Sequence, residues 1–411
     1  GSEMCIRDRY TIAWALGAIV MGLFMAKKYR EQNITTITEL IERHHTKGAV
    51  ILGVFCQIVI QLVIISLQYI AGGSILHAIL PDIFDFHTGM IVSAITFIGI
   101  TFIGGMWSAS LSNVLNIILI YVGILAATII QFKKIGSMDH LAAALPANVP
   151  WFSFIDGVGP VTITSWVVTL ITVNLSLQSI LQISLGAKDA ATAKKGFVWG
   201  GILMLPVGVL AAFLGLVAKA MYPDAQAALA LPQVIVGLQP VLAGITLAAL
   251  WAADVSTACT ILLGAATLFS NDIYKRFINP TVAENKFVII NRLSVFAVGL
   301  ITLWFAFNAA GIVKTMIAGL SMTCGLTCVF FFTMFAPGLC RRSSAFWTTL
   351  VSLIGIALWF VPGSPLAGIK PLFANEVIYF EWPICIITFL LVAMLDKNKI
   401  KEVVEVPEKD E

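Results

Sequence analysis

An aspartate stands inside one of the most apolar stretches of the chain, WAADVSTACTILLG, close to two hydroxyl residues. At helical spacing, the side chains of Ser256 and Thr257 share a face with the carbonyl group of Ala253. Three such oxygen atoms would suit a hard, desolvated cation. The carboxylate of Asp254 costs about 3 kcal/mol near the middle of a bilayer, and a bound cation or proton would offset that cost. The alternative is that both hydroxyls only bond to carbonyl groups one turn earlier.

A second stretch, ITVNLSLQSILQISLG, is too polar to face lipid along its whole length. Its candidate solute-pathway residues are Asn174, Ser176, Gln178, Ser179 and Gln182. Uncharged amides and hydroxyls of this kind would offer donors and acceptors to a small solute. The alternative is hydrogen bonding between helices, which contributes about 0.6 kcal/mol per pair in membrane proteins.

Two sets of polar residues earlier in the sequence are further candidates for lining a transport pathway. Gln57 and Gln61 share a face of one apolar segment, where lining a pathway and bonding to a neighbouring helix are equally good interpretations. Ser112 and Asn113 follow a Gly-Gly pair at the start of another segment. They would line an exit path for an ion, or they cap and pack the helix.

The elements that must position these residues are membrane helices. Of the 411 residues, 59% are hydrophobic and 11% are charged, whereas soluble domains contain about 25% charged residues. The seven cysteines form no CxxC pair, and the sequence has no HExxH, phosphate-binding loop or dinucleotide fingerprint. The class indicated is an all-α polytopic membrane protein that is not an enzyme.

Apolar runs of about 20 residues predict about eleven spans. They lie near 10–26, 49–79, 88–105, 107–131, 162–185, 197–221, 240–270, 289–308, 311–336, 344–361 and 378–396. If the segment after the first span is cytoplasmic, most of the 25 Lys and Arg residues fall on that side. This bias predicts an integral plasma-membrane protein, of prokaryotic type, with a cytoplasmic C-terminus.

Three regions follow from this pattern. Residues 1–9 are polar and patternless, as expected of a remnant of cloning or sequence assembly; 10–396 form the transmembrane domain, and 397–411 a cytoplasmic tail. Thr36 and Glu39 have the spacing of a capping box, which predicts a short helix over 35–45. Residues 222–238 suit a partly helical lid, and Gly104 with Gly105 permit a sharp turn between two helices.

Four motifs in order resemble those of the sodium:solute symporter family. They are TITELIERH, GGMWSASLSN, SLGAKDAATAKKG, and AADVST followed by LFSNDIYKRF. The resemblance covers nearly all the chain after residue 10. It implies the leucine-transporter type of fold, a five-plus-five inverted repeat around a site at the midplane, with extra C-terminal helices. It also implies that Ala253, Ser256 and Thr257 are sodium ligands and that 174–182 form the broken substrate helix.

The sequence departs from the family in three places. The first repeat helix, which completes both sites, would precede Tyr10 and is missing here, so the chain resembles an N-terminally truncated member. Asn113 stands where many relatives have Asp, which removes a negative charge from the presumed exit path of sodium. Asp254 would take over the role of that charge. The charged residues of the sugar-carrying branch correspond to Thr11 and Met204. An amino acid or small organic acid is therefore favoured over a sugar.

The function predicted is sodium-coupled symport of a small organic solute by alternating access, with Na⁺ as the co-transported ion. The first alternative is proton coupling through Asp254 in the same fold. A more distant alternative is a membrane-embedded sensor. The expected partners are the solute, sodium and the lipid bilayer, with no nucleic acid.

Overall fold

A computed structural model describes residues 2–32, 34–147, 149–153, 155–156, 159–225, 227–308 and 312–400. For 2–10, 105–115, 227–228, 312–315 and 318 it describes the backbone alone. Within these ranges the chain is almost entirely helical, and the β-type pairing recorded there is an isolated bridge between Arg341 and Lys399. The prediction of an all-α protein is confirmed.

The helices follow the apolar runs of the sequence. In chain order they are α1 (Ser2–Val20), α2 (Ala26–Glu31), α3 (Ile37–His44), α4 (Lys47–Ile79), α5 (Phe86–Ile135), α6 (Met138–Ala144), α7 (Pro160–Ser176), α8 (Gln178–Gly186), α9 (Ala190–Met221), α10 (Ala227–Val236), α11 (Pro240–Thr267), α12 (Glu284–Phe307), α13 (Ile312–Ser321), α14 (Thr323–Phe335), α15 (Ser344–Phe360) and α16 (Val377–Leu395). A π-helical turn, Met21–Met25, joins α1 to α2, and a longer one, Leu268–Ile278, continues α11.

In the part of the chain that the structure describes, 8 helical segments are long and apolar enough to cross a membrane, and α7 with α8 form one further, bent span. The helices over 319–335 and 344–360 are apolar but shorter. Each predicted span therefore lies on an apolar helix. The number of spans and the inverted repeat stay predictions.

The turn predicted at Gly104 and Gly105 is absent, and that prediction was wrong. Instead α5 continues through both glycines as one helix of 50 residues, about 75 Å long. Glycine permits a turn without requiring one, and an unbroken helix keeps its backbone groups hydrogen-bonded where water is scarce. Two parts of α5, Phe86–Gly104 and Asn116–Ile135, are apolar enough to cross a membrane.

The interior is built around α4 and α11. Helix α11 packs against α4 and α5, α1 packs against α7 and α9, and α14, α15 and α16 form a group of their own. Helix α14 also packs against α7. This arrangement brings the polar residues of α4, α7, α8 and α11 into the protein.

The predicted short helix is present as α3, but its N-terminus is capped differently from a capping box. Glu39 Oε2 accepts from the backbone N–H of Thr35 at 2.8 Å. The Thr36 hydroxyl instead donates to Asp272 Oδ1 at 3.0 Å. Arg276 completes this connection, because its guanidinium lies 3.0 Å from Asp272 and 2.8 Å from Glu42. A polar latch of Thr36, Glu42, Asp272 and Arg276 thus joins α3 to the end of α11.

Candidate functional site

The helix formed by α7 and α8 is broken at Leu177, and the side chain of Gln57 holds the break. Leu177 has extended backbone angles, and the two helices are bent by 53°. Gln57 Nε2 donates to the carbonyl of Ser176 at 2.6 Å, and Gln57 Oε1 accepts from the N–H of Gln178 at 3.0 Å. One buried amide from α4 therefore satisfies backbone groups on both sides of the break.

The side chain of Gln178 extends this network to the short helix α3. Its Oε1 accepts from the N–H of Ile37 at 2.7 Å, and its Nε2 donates to the carbonyl of Thr35 at 3.3 Å. On the other side of the break, the Tyr29 hydroxyl donates to the carbonyl of Leu175 at 2.7 Å. Gln178 is thus fully occupied in positioning α3 against α8.

The remaining residues of the polar stripe are buried on α7 and α8. Asn174 Nδ2 donates to the carbonyl of Leu170 within α7 at 2.8 Å. The hydroxyls of Ser176 and Thr327, on α7 and α14, lie 2.7 Å apart. Ser179 is 3% exposed. The stripe therefore lies at the junction of α4, α7, α8 and α14.

Gln61 lies one turn beyond Gln57 on α4 and, unlike Gln57, makes no hydrogen bond through its side-chain amide to the described residues. It is fully buried, and neither amide atom has a hydrogen-bond partner among the described residues. A Cβ on Gly264 of α11 would lie 2.5 Å from Gln61 Oε1 and 3.4 Å from Gln182 Oε1. Two uncharged amides thus meet at Gly264, a position of α11 that has no side chain.

The predicted cation ligands lie on the same face of α11 as Gly264. The Ser256 hydroxyl donates to the carbonyl of Ala253 at 2.8 Å, and the Thr257 hydroxyl donates to the same oxygen at 3.1 Å. Thr257 is exposed and Ser256 half-buried. Thr257 and Gly264 are seven residues, or two helical turns, apart. Three oxygen atoms converge here, in hydrogen bonds of the kind that serine and threonine make in membrane helices.

Asp254 faces a different direction. It is 6% exposed, and neither carboxylate oxygen has a hydrogen-bond partner among the described residues. A Cβ on Gly72 of α4 would lie 2.9 Å from Asp254 Oδ2 and 2.6 Å from Ser93 Oγ of α5. The Ser93 hydroxyl is also buried and unpartnered within the described ranges. The sequence reasoning missed Gly72 and Ser93, since a lone serine and a glycine in apolar runs give no periodic signal.

The exit path predicted at Ser112 and Asn113 is on α5, and the side chains of both residues lie outside the described part of the chain. One turn further along α5, Asn116 Nδ2 donates to the carbonyl of Ala252 at 3.2 Å. The helix that carries the predicted exit residues thus contacts α11 beside the candidate cation site.

A broken helix beside uncharged amides, inside a polytopic helical protein, is typical of the substrate site of a membrane transporter. The chain belongs to the sodium:solute symporter family, whose sequence model matches residues 8–352. The resemblance found in the sequence is thereby confirmed. The family and the similar proteins are transporters and not enzymes.

Similar proteins include sodium/glucose and sodium/proline carriers. The chain is 23% identical to sodium/glucose cotransporter 4 of Danio rerio, over 93% of this chain and 66% of that protein. It is 26% identical to a sodium/glucose cotransporter of Vibrio parahaemolyticus, over 68% and 57%. It is 23% identical to a sodium/proline symporter of Staphylococcus aureus, over 82% and 69%. The chain spans between 57% and 69% of the length of these relatives.

Solved structures show the same fold. A substrate-bound, outward-open Na⁺-coupled sialic acid symporter matches with a TM-score of 0.74 at 16% identity, over 98% of this chain and 88% of that one. The inward-facing conformation of Mhp1 matches with a TM-score of 0.56 at 14% identity, over 95% and 88%. These neighbours have the leucine-transporter type of fold.

Proposed function

We propose that the protein is a sodium-driven symporter of a small organic solute that works by alternating access. Sodium binds at Ala253, Ser256 and Thr257 and stabilises the outward-open state, in which the solute binds more tightly. Rocking of one helix bundle against the other then releases both inside. Coupling of this kind is reciprocal, so the solute raises the affinity for sodium by the same factor.

The observation that carries the proposal is the convergence of three oxygen atoms on α11. Ser256 Oγ lies 2.8 Å and Thr257 Oγ1 lies 3.1 Å from the same carbonyl oxygen, that of Ala253. On binding, a hard cation would exchange these internal hydrogen bonds for metal–oxygen contacts. The half-buried and exposed positions of the two hydroxyls leave the ion a way in. Membership of a sodium:solute family and the sodium-coupled relatives support sodium as this ion.

The solute site proposed lies between α4, α8 and α11, at Gln61 and Gln182. The two unpartnered amide atoms of Gln61 need hydrogen-bond partners, because leaving a buried polar group unpaired costs about 1 to 3 kcal/mol. A solute with both donors and acceptors would supply them. Gln57 shapes this site by holding the break in α7–α8, and the other predicted pathway residues are the buried polar groups around that break: Asn174, Ser176, Gln178 and Ser179.

An amino acid or small organic acid fits this environment better than a sugar. The amides are neutral, and the ends of a broken helix offer partial charges to a zwitterion or a carboxylate. Of the two positions that carry charge in the sugar-carrying branch, Thr11 packs against Gly208 and Met204 is 36% exposed on α9. Neither offers a fixed charge to a sugar.

Thermal stability of the purified protein in detergent tests the sodium site. Sodium is titrated at constant ionic strength, with potassium replacing it as the control. A ligand at ten times its Kd stabilises the folded state by about 1.4 kcal/mol, so a rise of a few degrees in the melting temperature is expected. Ser256→Ala/Thr257→Ala should abolish it. An equal rise with potassium, or a rise that persists in the double variant, would contradict the site.

Proton coupling through Asp254 is the second candidate. Its supporting observation is that the buried carboxylate is unpartnered and faces Gly72 and Ser93 instead of the two hydroxyls. A carboxyl group in such surroundings would carry a proton rather than a charge. Transport would then follow a pH gradient without sodium and be lost in Asp254→Asn. Uptake that needs sodium and persists in Asp254→Asn would remove this candidate.

The orientation stays a prediction, with the C-terminus in the cytoplasm of a prokaryotic cell. Because the positive-inside bias places the segment around Lys188 inside and the lid near Asp224 outside, labelling of single introduced cysteines there tests it. A membrane-impermeant thiol reagent applied to intact cells should label position 224 and leave position 188 unlabelled.

A further inference from the structure

We propose that Cys324, Glu381 and Cys385 form a structural zinc site between α14 and α16, outside the site described above. One ligand atom from each of the three residues lies within 4.8 Å of the others, and all three residues are fully buried. The proposal rests on this cluster and is independent of which ion or solute the protein transports.

The donor set fits a borderline-soft divalent ion. Zn²⁺ takes thiolate sulfur at about 2.3 Å and carboxylate oxygen at about 2.0 to 2.2 Å in a tetrahedral arrangement. The ligand atoms of such a site lie about 3.3 to 3.8 Å apart. The observed cluster would therefore close by no more than about 1.5 Å, a movement within reach of side-chain rotation. Glu381 and Cys385 are four residues apart on α16, which places both on one face toward α14.

The state of Glu381 points to a missing partner. Its Oε2 accepts from the Ser352 hydroxyl at 2.6 Å and from Cys385 Sγ at 3.9 Å. Its Oε1 is buried and has no hydrogen-bond partner in the described part of the chain. If the carboxyl group were simply protonated at Oε1, its O–H would face no acceptor. A metal ion held by both sulfur atoms and by the carboxylate would give this group its missing partner.

A bound zinc ion would also balance most of the negative charge of its three ligands. The two thiols bind zinc as thiolates, and each releases its proton to solvent as the sulfur–zinc bond forms. The ion then neutralises two of the three negative charges. Ser352 donates to Glu381 Oε2 at 2.6 Å and so orients the carboxylate, and a water molecule would be the fourth ligand.

The residues next to the cluster connect the proposed zinc site to α7. Thr327, three residues after Cys324, donates to the carbonyl of Thr172 at 2.9 Å. Trp382, next to Glu381, donates from Nε1 to the Thr172 hydroxyl at 3.0 Å. Both sides of the zinc site therefore contact the last turns of α7, just before the break. Zinc would hold α14 and α16 together as the support against which the broken helix rests.

The test is the metal content of the protein, purified in detergent and exchanged into metal-free buffer. Elemental mass spectrometry should find one zinc ion per chain in the wild type and less than a tenth of that in Cys324→Ser/Cys385→Ser. Cys56→Ser, which alters an equally buried cysteine on α4, is the matched control and should keep its zinc. A folded wild type with less than a tenth of a zinc ion per chain would overturn the proposal.

A second measurement does not depend on the variants folding. A membrane-permeant zinc chelator should lower the melting temperature of the wild type by several degrees, and added zinc should restore it. Thiol counting and mass spectrometry of the wild type should find Cys324 and Cys385 as unoxidised thiols. A disulfide between them, or a melting temperature that is insensitive to the chelator, would contradict a zinc site.

Discussion

Gln57 and Gln61 lie one helical turn apart on α4, both are fully buried, and they differ in one respect. Both amide atoms of Gln57 are bonded to the backbone at the break between α7 and α8, whereas both amide atoms of Gln61 are unpartnered within the described ranges. The same side chain therefore supports the scaffold at one position and faces the proposed solute site at the next. This pair allows structural and functional roles to be separated by matched substitutions.

Gln57→Leu should destabilise the protein. It removes the partners of the Ser176 carbonyl and the Gln178 N–H, and each buried backbone group left unpaired costs about 1 to 3 kcal/mol. A fall of several degrees in the melting temperature in detergent, without any ligand, is expected. An unchanged melting temperature would mean that Gln57 does not hold the break.

Gln61→Leu should have the opposite effect on the protein without solute. Replacing an unsatisfied buried amide by an apolar group of similar size relieves its desolvation cost, so stability should stay equal or rise. The apparent affinity for a transported solute, measured from the stabilisation that the solute produces, should fall at least tenfold. A loss of stability like that of Gln57→Leu would show that Gln61 has a structural role instead.

The stability that the polar latch between α3 and the end of α11 provides should depend mainly on its buried residue, Asp272. Asp272 is fully buried beside Arg276, whereas the Glu42 side chain is 44% exposed. Removing one partner of a buried ion pair costs about 3 to 5 kcal/mol, but an exposed pair contributes about 1 kcal/mol or less. Asp272→Ala should therefore lower the melting temperature much more than Glu42→Gln. Equal effects of the two changes would contradict this assignment.

Acid should weaken the contact between the end of α3, where His45 lies, and the end of α14. Burial, the main cause, lowers the pKa of His45 to about 4 from 6.5, while its ring bonds to Arg341 O and Thr333 Oγ1. The unfolded chain binds a proton near pH 6.5, but the folded protein does so only near pH 4. Stability is therefore fully present above about pH 6.5 and is lost as the pH falls toward 4, by up to about 3 kcal/mol.

The melting temperature measured between pH 7.5 and pH 5 checks this expectation. The stability of the wild type should stay level down to about pH 6.5 and then fall toward pH 5. His45→Gln, which cannot be protonated there, should give a flatter profile even if it is less stable at pH 7.5. Parallel profiles for the two proteins would place the acid sensitivity elsewhere.

The positions of the helices could be predicted from the sequence, because a bilayer demands long apolar runs with every backbone group hydrogen-bonded. The polar stripe of 174–182 likewise indicates a helix that does not face lipid, and the family resemblance implies that this helix is broken. The partners could not be predicted in the same way. That Gln57 holds the break, or that Thr36 bonds to Asp272 instead of capping α3, depends on contacts between residues more than a hundred positions apart.

The face toward which Asp254 points is a second feature beyond the sequence. Adjacent helical residues lie about 100° apart, so neighbours in the sequence need not face one site. Asp254 approaches Gly72 because that glycine has no side chain, and the pair Gly72–Gly73 does not by itself show which side chain will pack against it. The glycine pair at 104–105 shows the reverse case, where a permissive sequence stays helical.

The central claim is that the hydroxyls of Ser256 and Thr257 bind sodium. Equilibrium binding of radioactive sodium to the purified protein tests this claim most directly, with unlabelled sodium and potassium as competitors. We predict saturable binding that unlabelled sodium displaces and potassium does not. The double variant Ser256→Ala/Thr257→Ala should lose this binding, whereas the control Thr267→Ala should keep it. Saturable sodium binding that is unchanged in the double variant, or no saturable binding to the wild type, would contradict the claim.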